Sequence, residues 1–224
     1  NPLSSTSNNG KTYASFFDGY PKSKLAQLYF HRELPTSEVC TAFYRISDES
    51  TLLHALGRTR QLGTRVDSMT VSEQFLGPTT TRALASSRAV RLVRNAVLKP
   101  ILARGIPSVD PWLREFGPDL IFFCGGDATY LYPLVEKIAD DFDTPIVFYI
   151  TDDYVLPSPS DGPLARLSKS IVRSNLVRLC ARSALTLTIG QKMTDVYSAR
   201  LGINSRPLMN LVSVPEARLS VVAR

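Results

Sequence analysis

Two carboxylates stand side by side at Asp152 and Asp153, directly after Thr151 and the apolar run Pro145 to Ile150. Adjacent carboxylates disfavour each other's charge. A pair kept at the end of a strand is therefore the best single site candidate, or a turn that one caps while the other is solvated. A second cluster, Cys124-Gly125-Gly126-Asp127, follows the apolar run Asp119 to Cys124 and precedes a helical segment from Thr129. Two glycines let the backbone turn sharply and let a ligand come close. Asp127 either joins such a site or caps the helix. A third cluster, Asn9-Gly10-Lys11-Thr12, has the ending of a phosphate-binding loop, but Ser5 stands where that motif needs a glycine and no strand precedes it. What remains is a glycine near a helix start, whose N–H groups suit an anion, or a plain helix start.

Other chemistries have weaker support. His31 and His54 are the only histidines, and neither lies at a strand-to-helix crossover of the regular half, so Ser-His-Asp and Cys-His nucleophile systems are disfavoured. Cys40, Cys124 and Cys180 are far apart and odd in number, which argues against a disulfide framework or a zinc site and for buried thiols in a reducing compartment. Asp141-Phe142-Asp143 has the DxD form of metal-dependent sugar transferases, but it precedes a strand and falls on the wrong side of the sheet.

The elements that must hold these residues can be read from periodicity. Apolar runs at Asp119–Cys124, Pro145–Ile150 and Leu185–Ile189 alternate with helical segments Thr129–Ala139, Pro163–Ala181 and Lys192–Leu201. Continuous apolar strands separated by helices predict an α/β fold with a doubly wound, mostly parallel, Rossmann-like sheet. Ligands of such sheets bind beyond the carboxyl ends of strands, which selects Gly125-Gly126-Asp127, Thr151-Asp152-Asp153, Gly190 and Asn210. Earlier in the chain, a short helix is expected from Lys11, strands at Leu25–Phe30 and Val39–Ile46, and a helix capped by Ser47 or Asp48 that buries Leu52, Leu53 and Leu56. Gly57 to Pro78 has little periodicity and reads as a loop. Pro111 to Phe116 reads as a short helix.

The chain has 224 residues and 44% apolar composition, enough for a large core. No apolar run approaches the roughly 20 residues that span a bilayer. The formal charge of +6 is concentrated. Arg58 to Arg104 holds nine basic residues against Asp67 and Glu73, while the rest holds 17 basic and 18 acidic. Within it, Thr80–Lys99 reads as a helix that Pro100 kinks or ends. Val90, Val93, Val97 and Ile101 fall on one side, and Arg88, Arg91, Asn95 and Lys99 on the other. Arg88, Arg91 and Lys99 are expected to face an anionic membrane surface, unless that face is merely solvated or the valines themselves face lipid. The aromatic residues form no stacking platform beside this helix, which argues against a nucleic-acid partner.

From Phe116 onward the sequence resembles the N-terminal domain of GT-B glycosyltransferases, family 4 in particular. The resemblance is carried by Phe116-Gly117-Pro118-Asp119-Leu120-Ile121, Pro145 to Asp153, Leu185 to Tyr197 and Met209-Asn210-Leu211-Val212. At the front, Asn1-Pro2-Leu3, Asn8 to Thr12 and Pro21-Lys22 to Tyr29 look like the loop after the family's first strand and the approach to its second. Two departures stand out. Asp152 takes the place of a histidine common in the family, and Asn210-Leu211-Val212-Ser213 replaces its Asn-Gly-Val-Asp turn.

The resemblance implies an acceptor-binding half over residues 1–214, with 58–107 as a basic loop-and-helix insertion and 215–224 beginning a hinge to a donor-binding domain. It implies a retaining transfer from a nucleotide-sugar to a lipid-linked, glycan or other cell-envelope acceptor, with no cofactor or required metal. The location implied is cytoplasmic, peripheral on the inner membrane face. Asp152 would act at the reacting centre with Asp153 orienting it. Gly125, Gly126 and Asp127 would line the acceptor side, and Asn9, Gly10 and Lys11 would face the donor phosphates. The alternatives are a non-catalytic, ligand-binding α/β module, receiver-like in its acidic pair, and a GT-B sugar-nucleotide epimerase.

Overall fold

The computed structural model describes residues 2–3, 8–31, 34–36, 39–47, 50–51, 54, 62–66 and 88–209. Six α-helices and two sheets occur among them. The parallel sheet is built from β4 (Ile121–Gly125), β5 (Ile146–Ile150), β6 (Leu185–Thr188) and β7 (Arg206–Pro207), in that order and parallel throughout. Strands β4, β5 and β6 are the apolar runs of the sequence, as a sheet covered on both faces requires, and β7 is a two-residue exposed edge. On one face, α4 (Leu131–Phe142), α5 (Pro163–Arg182) and α6 (Gln191–Leu201) contribute Tyr132, Val135, Val172, Leu176, Leu179 and Tyr197 to a core around Phe123 and Phe148. On the other, α1 (Asn8–Phe16) sets Phe16 edge-on against Phe122 and Tyr149, with Phe17 beyond it on Phe122. Helices on both faces make this half doubly wound, as expected. Burial of each large apolar side chain here contributes roughly 1.5–3 kcal/mol before ordering costs.

The front half departs from a single parallel sheet. β1 (Ala26–Tyr29) and β2 (Ala42–Arg45) are parallel, but β3 (Thr64–Val66) runs antiparallel on β2, within the stretch expected as loop. Thr64-Arg65-Val66 is too short for periodicity to register, and Phe43 opposite Val66 supplies the pairing instead. A second core joins this sheet to α2 (Arg88–Leu102), α3 (Asp110–Phe116) and α4, through Tyr44, Ile46, Leu98, Leu102, Trp112, Leu113 and Leu134. Helix α4 thus belongs to both cores. Gly117, in the left-handed region at φ 63°, ends α3. Ser47 and Ser50 exchange backbone-to-hydroxyl bonds of 3.0 and 3.2 Å in a cap. Asp48, Leu52, Leu53 and Leu56 lie outside the described residues, as do Asn210 and the expected hinge.

Helix α2 corrects two expectations. Pro100 does not end it, since the helix runs to Leu102 and the proline removes only one bond in the last turn. The inward stripe is Asn95, Leu98 and Leu102, whereas Val90, Val93 and Val97 are exposed, Val93 to 64%. Branched apolar residues marked one side of the helix correctly, but that side points outward.

Candidate functional site

Gly125 pairs with Ile150, so the turns leaving β4 and β5 begin level with each other at the carboxyl edge of the sheet. Gly125 has no room for a side chain, because a Cβ there would stand 2.3 Å from the Phe148 ring. Gly126 is different. A Cβ on it would meet the Tyr154 ring at 3.6 Å, an ordinary contact. Its carbonyl accepts a hydrogen bond from the Tyr132 hydroxyl at 3.0 Å. The next residues are gripped by α2. Asn95 donates to the Asp127 carbonyl at 2.9 Å and accepts from the Thr129 N–H at 3.1 Å, and Arg91 pairs with the Asp127 carboxylate at 2.9 Å. The ion pair is about 40% exposed on both sides and adds little by itself. Buried Asn95, with both ends of its amide satisfied, carries more of the restraint.

The two aspartates divide their work. Asp153 Oδ1 accepts the N–H groups of Val155 and Leu156 at 3.1 and 3.0 Å and the Tyr197 hydroxyl at 3.1 Å. It fixes the turn that follows β5 and ties it to α6. Asp152 is exposed, and its Oδ2 accepts from the Tyr154 hydroxyl at 3.0 Å and from Thr151 Oγ1 at 3.2 Å. Both aspartates are exposed, but only Asp153 is tied to the backbone of the turn. Farther along the loop, Asp161 accepts from the Lys169 ammonium at 2.7 Å and the Ser158 N–H at 2.6 Å. Both bonds hold its carboxyl below the ordinary range, Lys169 foremost.

No protein-family model, curated protein or solved structure matches this chain. The chemistry of the site must be read from its own groups.

Tyr13 of α1 reaches this edge, where its hydroxyl accepts from the Cys124 thiol at 2.8 Å. Burial pushes Cys124 up to about 11, so at neutral pH it is a thiol and not a nucleophile. Burial likewise raises the phenols of Tyr13, Tyr132, Tyr154 and Tyr197, and takes Tyr29 and Tyr149 to about 12. The hydrogen bond and charge of Asp152 add to the rise at Tyr154, and the charge and hydrogen bond of Asp153 to that at Tyr197.

Phenols with raised values make the fold sensitive to alkali. Below the ordinary value of 10.0 both states hold the protons. Above it the unfolded chain ionises first, so stability falls from pH 10 toward pH 12 and beyond. Phenolate absorbance in the folded protein is expected to lag behind that of the denatured chain until unfolding releases the rest. All nine tyrosines titrating together near pH 10 with the fold intact would contradict this assignment.

The other predicted residues are only partly drawn together. Gly10 is buried in the first turn of α1, with Lys11 exposed beside it and Asn9 in the same turn. Tyr13 and Phe16 set that helix beside the sheet edge. Gly190 precedes α6 in extended backbone. Arg88, Arg91 and Lys99 do not form one free basic face. Arg91 turns to Asp127, Lys99 Nζ donates to Asn175 at 3.1 Å, and Arg88 lies near enough to Asp161 to help lower it. Asp141 pairs with Lys137, and Asp143 closes α4 at φ 49°, at the far end of β5. Among the described residues no three His, Cys, Asp or Glu groups converge as a metal site. Two surface hollows, one by Cys180, Thr186 and Arg206 and one by Asp143, Ile146 and Arg182, open at the amino end of the sheet. Sequence reasoning missed Tyr13, Asn95, Tyr154 and Tyr197 as site residues. Only Tyr154, next to the acidic pair, carried a local signal.

Proposed function

We propose that this chain is the acceptor-side domain of a retaining, nucleotide-sugar-dependent glycosyltransferase. The observation that carries the reading is the exposed carboxylate of Asp152, which anchors no backbone N–H and is held by Thr151 and Tyr154 next to a glycine turn with open backbone at Gly126. The reaction joins an acceptor hydroxyl to the sugar's anomeric carbon. The bond to the nucleoside diphosphate breaks, and the hydroxyl proton leaves with a base. Asp152 contacts the reacting centre, and Asp153 keeps the turn below it rigid. Gly126 and Asp127 border the acceptor, a glycan or lipid-linked saccharide. Gly10 and Lys11, at the start of the helix that bears Tyr13, face the donor phosphates.

The test incubates the full-length protein with UDP- and GDP-sugars and a cell-envelope extract, and follows released nucleoside diphosphate. Release that depends on acceptor is expected. Conversion of the sugar-nucleotide without acceptor would favour an epimerase. Binding without turnover across the panel would favour a non-catalytic module.

A further inference from the structure

The carboxylate of Asp152 is held at one oxygen. Its Oδ2 accepts two hydrogen bonds, and among the described residues its Oδ1 accepts none. The two donors are unlike. Thr151 Oγ1 sits on the preceding residue at 3.2 Å, beyond the usual O–H···O range. The Tyr154 hydroxyl lies at 3.0 Å, on a ring that is anchored elsewhere. Tyr154 therefore sets the direction of the carboxylate more than Thr151 does.

The chain aims that ring by its own local chemistry. Tyr154 is the central residue of a turn in which Asp153 Oδ1 accepts the Val155 N–H, an Asx arrangement that bends the backbone. The ring comes to lie against Gly126. The position a side chain would take on that glycine is 3.6 Å from Cε2 and Cζ of Tyr154 and 3.7 Å from its hydroxyl oxygen. Gly126 is fixed in turn by the Tyr132 hydroxyl on its carbonyl. Tyr154 is half-buried and packs against the core that holds Phe123 and Phe148. One side chain thus spans the turns after β4 and β5. Burial first, and then the hydrogen bond and charge of Asp152, hold its phenol far above the ordinary value, so at neutral pH the hydroxyl donates and is not a base. Tyr197 makes the matching bond to Asp153, but that carboxylate also carries two backbone N–H groups. The bond from Tyr154 holds a carboxylate on which no backbone depends.

We propose that Tyr154 is a positioning residue: it pins Oδ2 of Asp152 beside the glycine turn and leaves Oδ1 as the oxygen that meets a substrate hydroxyl. This role rests on the transferase reading. A carboxylate free at both oxygens rotates about its Cβ–Cγ bond, whereas one tied at Oδ2 keeps Oδ1 in a single direction, and orientation of this kind lowers a barrier before any bond changes. Tyr154 itself neither gives up nor takes a proton.

Steady-state kinetics of the full-length protein test it, with the UDP- or GDP-sugar and the envelope acceptor that the wild type turns over. Tyr154→Phe keeps the ring on Gly126 and removes the donor. Its kcat should fall about 10-fold, the scale of one hydrogen bond to a charged group, while KM for the acceptor and the melting temperature stay near wild type. Added to Asp152→Asn, the same change should lower kcat no further, because the group it positions has already lost its charge. A tyrosine that only supports the fold would lower both backgrounds by the same factor. NMR of protein isotope-labelled at tyrosine Cζ reads the bond without turnover: the resonance that is missing in Tyr154→Phe should move in Asp152→Ala. An unmoved resonance, wild-type kcat in Tyr154→Phe, or an additive loss in the double variant overturns the role of Tyr154 and leaves the transferase reading in place. A wild type without acceptor-dependent turnover overturns both.

Discussion

Asp152→Asn in the full-length protein is expected to lower turnover by about 100-fold or more, the range in which a positioned acid or base acts, with the melting temperature nearly unchanged. The amide keeps the shape of the carboxylate and still offers an oxygen to Tyr154 and Thr151, the partners of Asp152 in the structure. What it loses is the negative charge and the capacity to take a proton. Asp152 is exposed, so the fold does not depend on that charge. Asp153→Asn provides the contrast. Its oxygen anchors two backbone N–H groups and the Tyr197 hydroxyl, so its loss acts on the turn as well as on the rate. Turnover of Asp152→Asn and of the transition-state-dependent ratio kcat/KM should fall together. Wild-type turnover in Asp152→Asn would remove Asp152 from the chemistry and leave it as the solvated partner of a structural aspartate.

The largest effect on stability is expected at Gly125. A methyl group there would overlap the Phe148 ring at 2.3 and 2.8 Å and crowd the Tyr132 hydroxyl at 3.2 Å. Phe148 cannot yield easily, since it is stacked on Phe123 at 5.5 Å and packed edge-on by Tyr132 at 5.9 Å, with no exposure of its own. Overpacking a core of this kind costs about 1–3 kcal/mol. That corresponds to roughly 2–12 °C of melting temperature for a domain of this size. Gly126→Ala meets only the Tyr154 ring at an ordinary distance and should leave the melting temperature where it was. If Gly126 borders the acceptor, the alanine instead raises KM. A thermal melt of the two variants side by side separates a glycine required by packing from one kept open for a ligand. Equal melting temperatures for Gly125→Ala and wild type would show that the ring moves aside.

Much of the regular half was readable because parallel strands buried on both faces are written as unbroken apolar runs. Phe122, Phe123 and Cys124, then Ile146 to Ile150, needed no partner to be recognised. The strand-end rule then located Gly125 to Asp127 and the aspartate pair. What could not be read was anything that depends on distance along the chain. Tyr13 meets Cys124 across 111 residues and Asn95 meets Thr129 across 34, and no local pattern encodes either. The roles within the aspartate pair were equally hidden, since they depend on which carboxylate the following N–H groups reach. Helix α2 failed for another reason. Periodicity of Val90, Val93 and Val97 defines a stripe, yet a stripe carries no label saying whether core or solvent lies beyond it. Strand β3 was hidden as well, since its three residues are below the length at which alternation can be seen.

Helix α2 has two unlike sides, one that holds the glycine turn and one open to solvent. Arg91 and Asn95 are one turn apart on the side that holds Asp127 and Thr129, while Val93 and Val97 are one turn apart on the other. The helix body is about 10 Å thick with its side chains, so the glycine turn stands about that far behind the valine face. Rolling the helix about its axis shifts both of its holds on the turn together, because they share one stripe. The shape of the turn beside Asp152 therefore rests on the seating of that one helix.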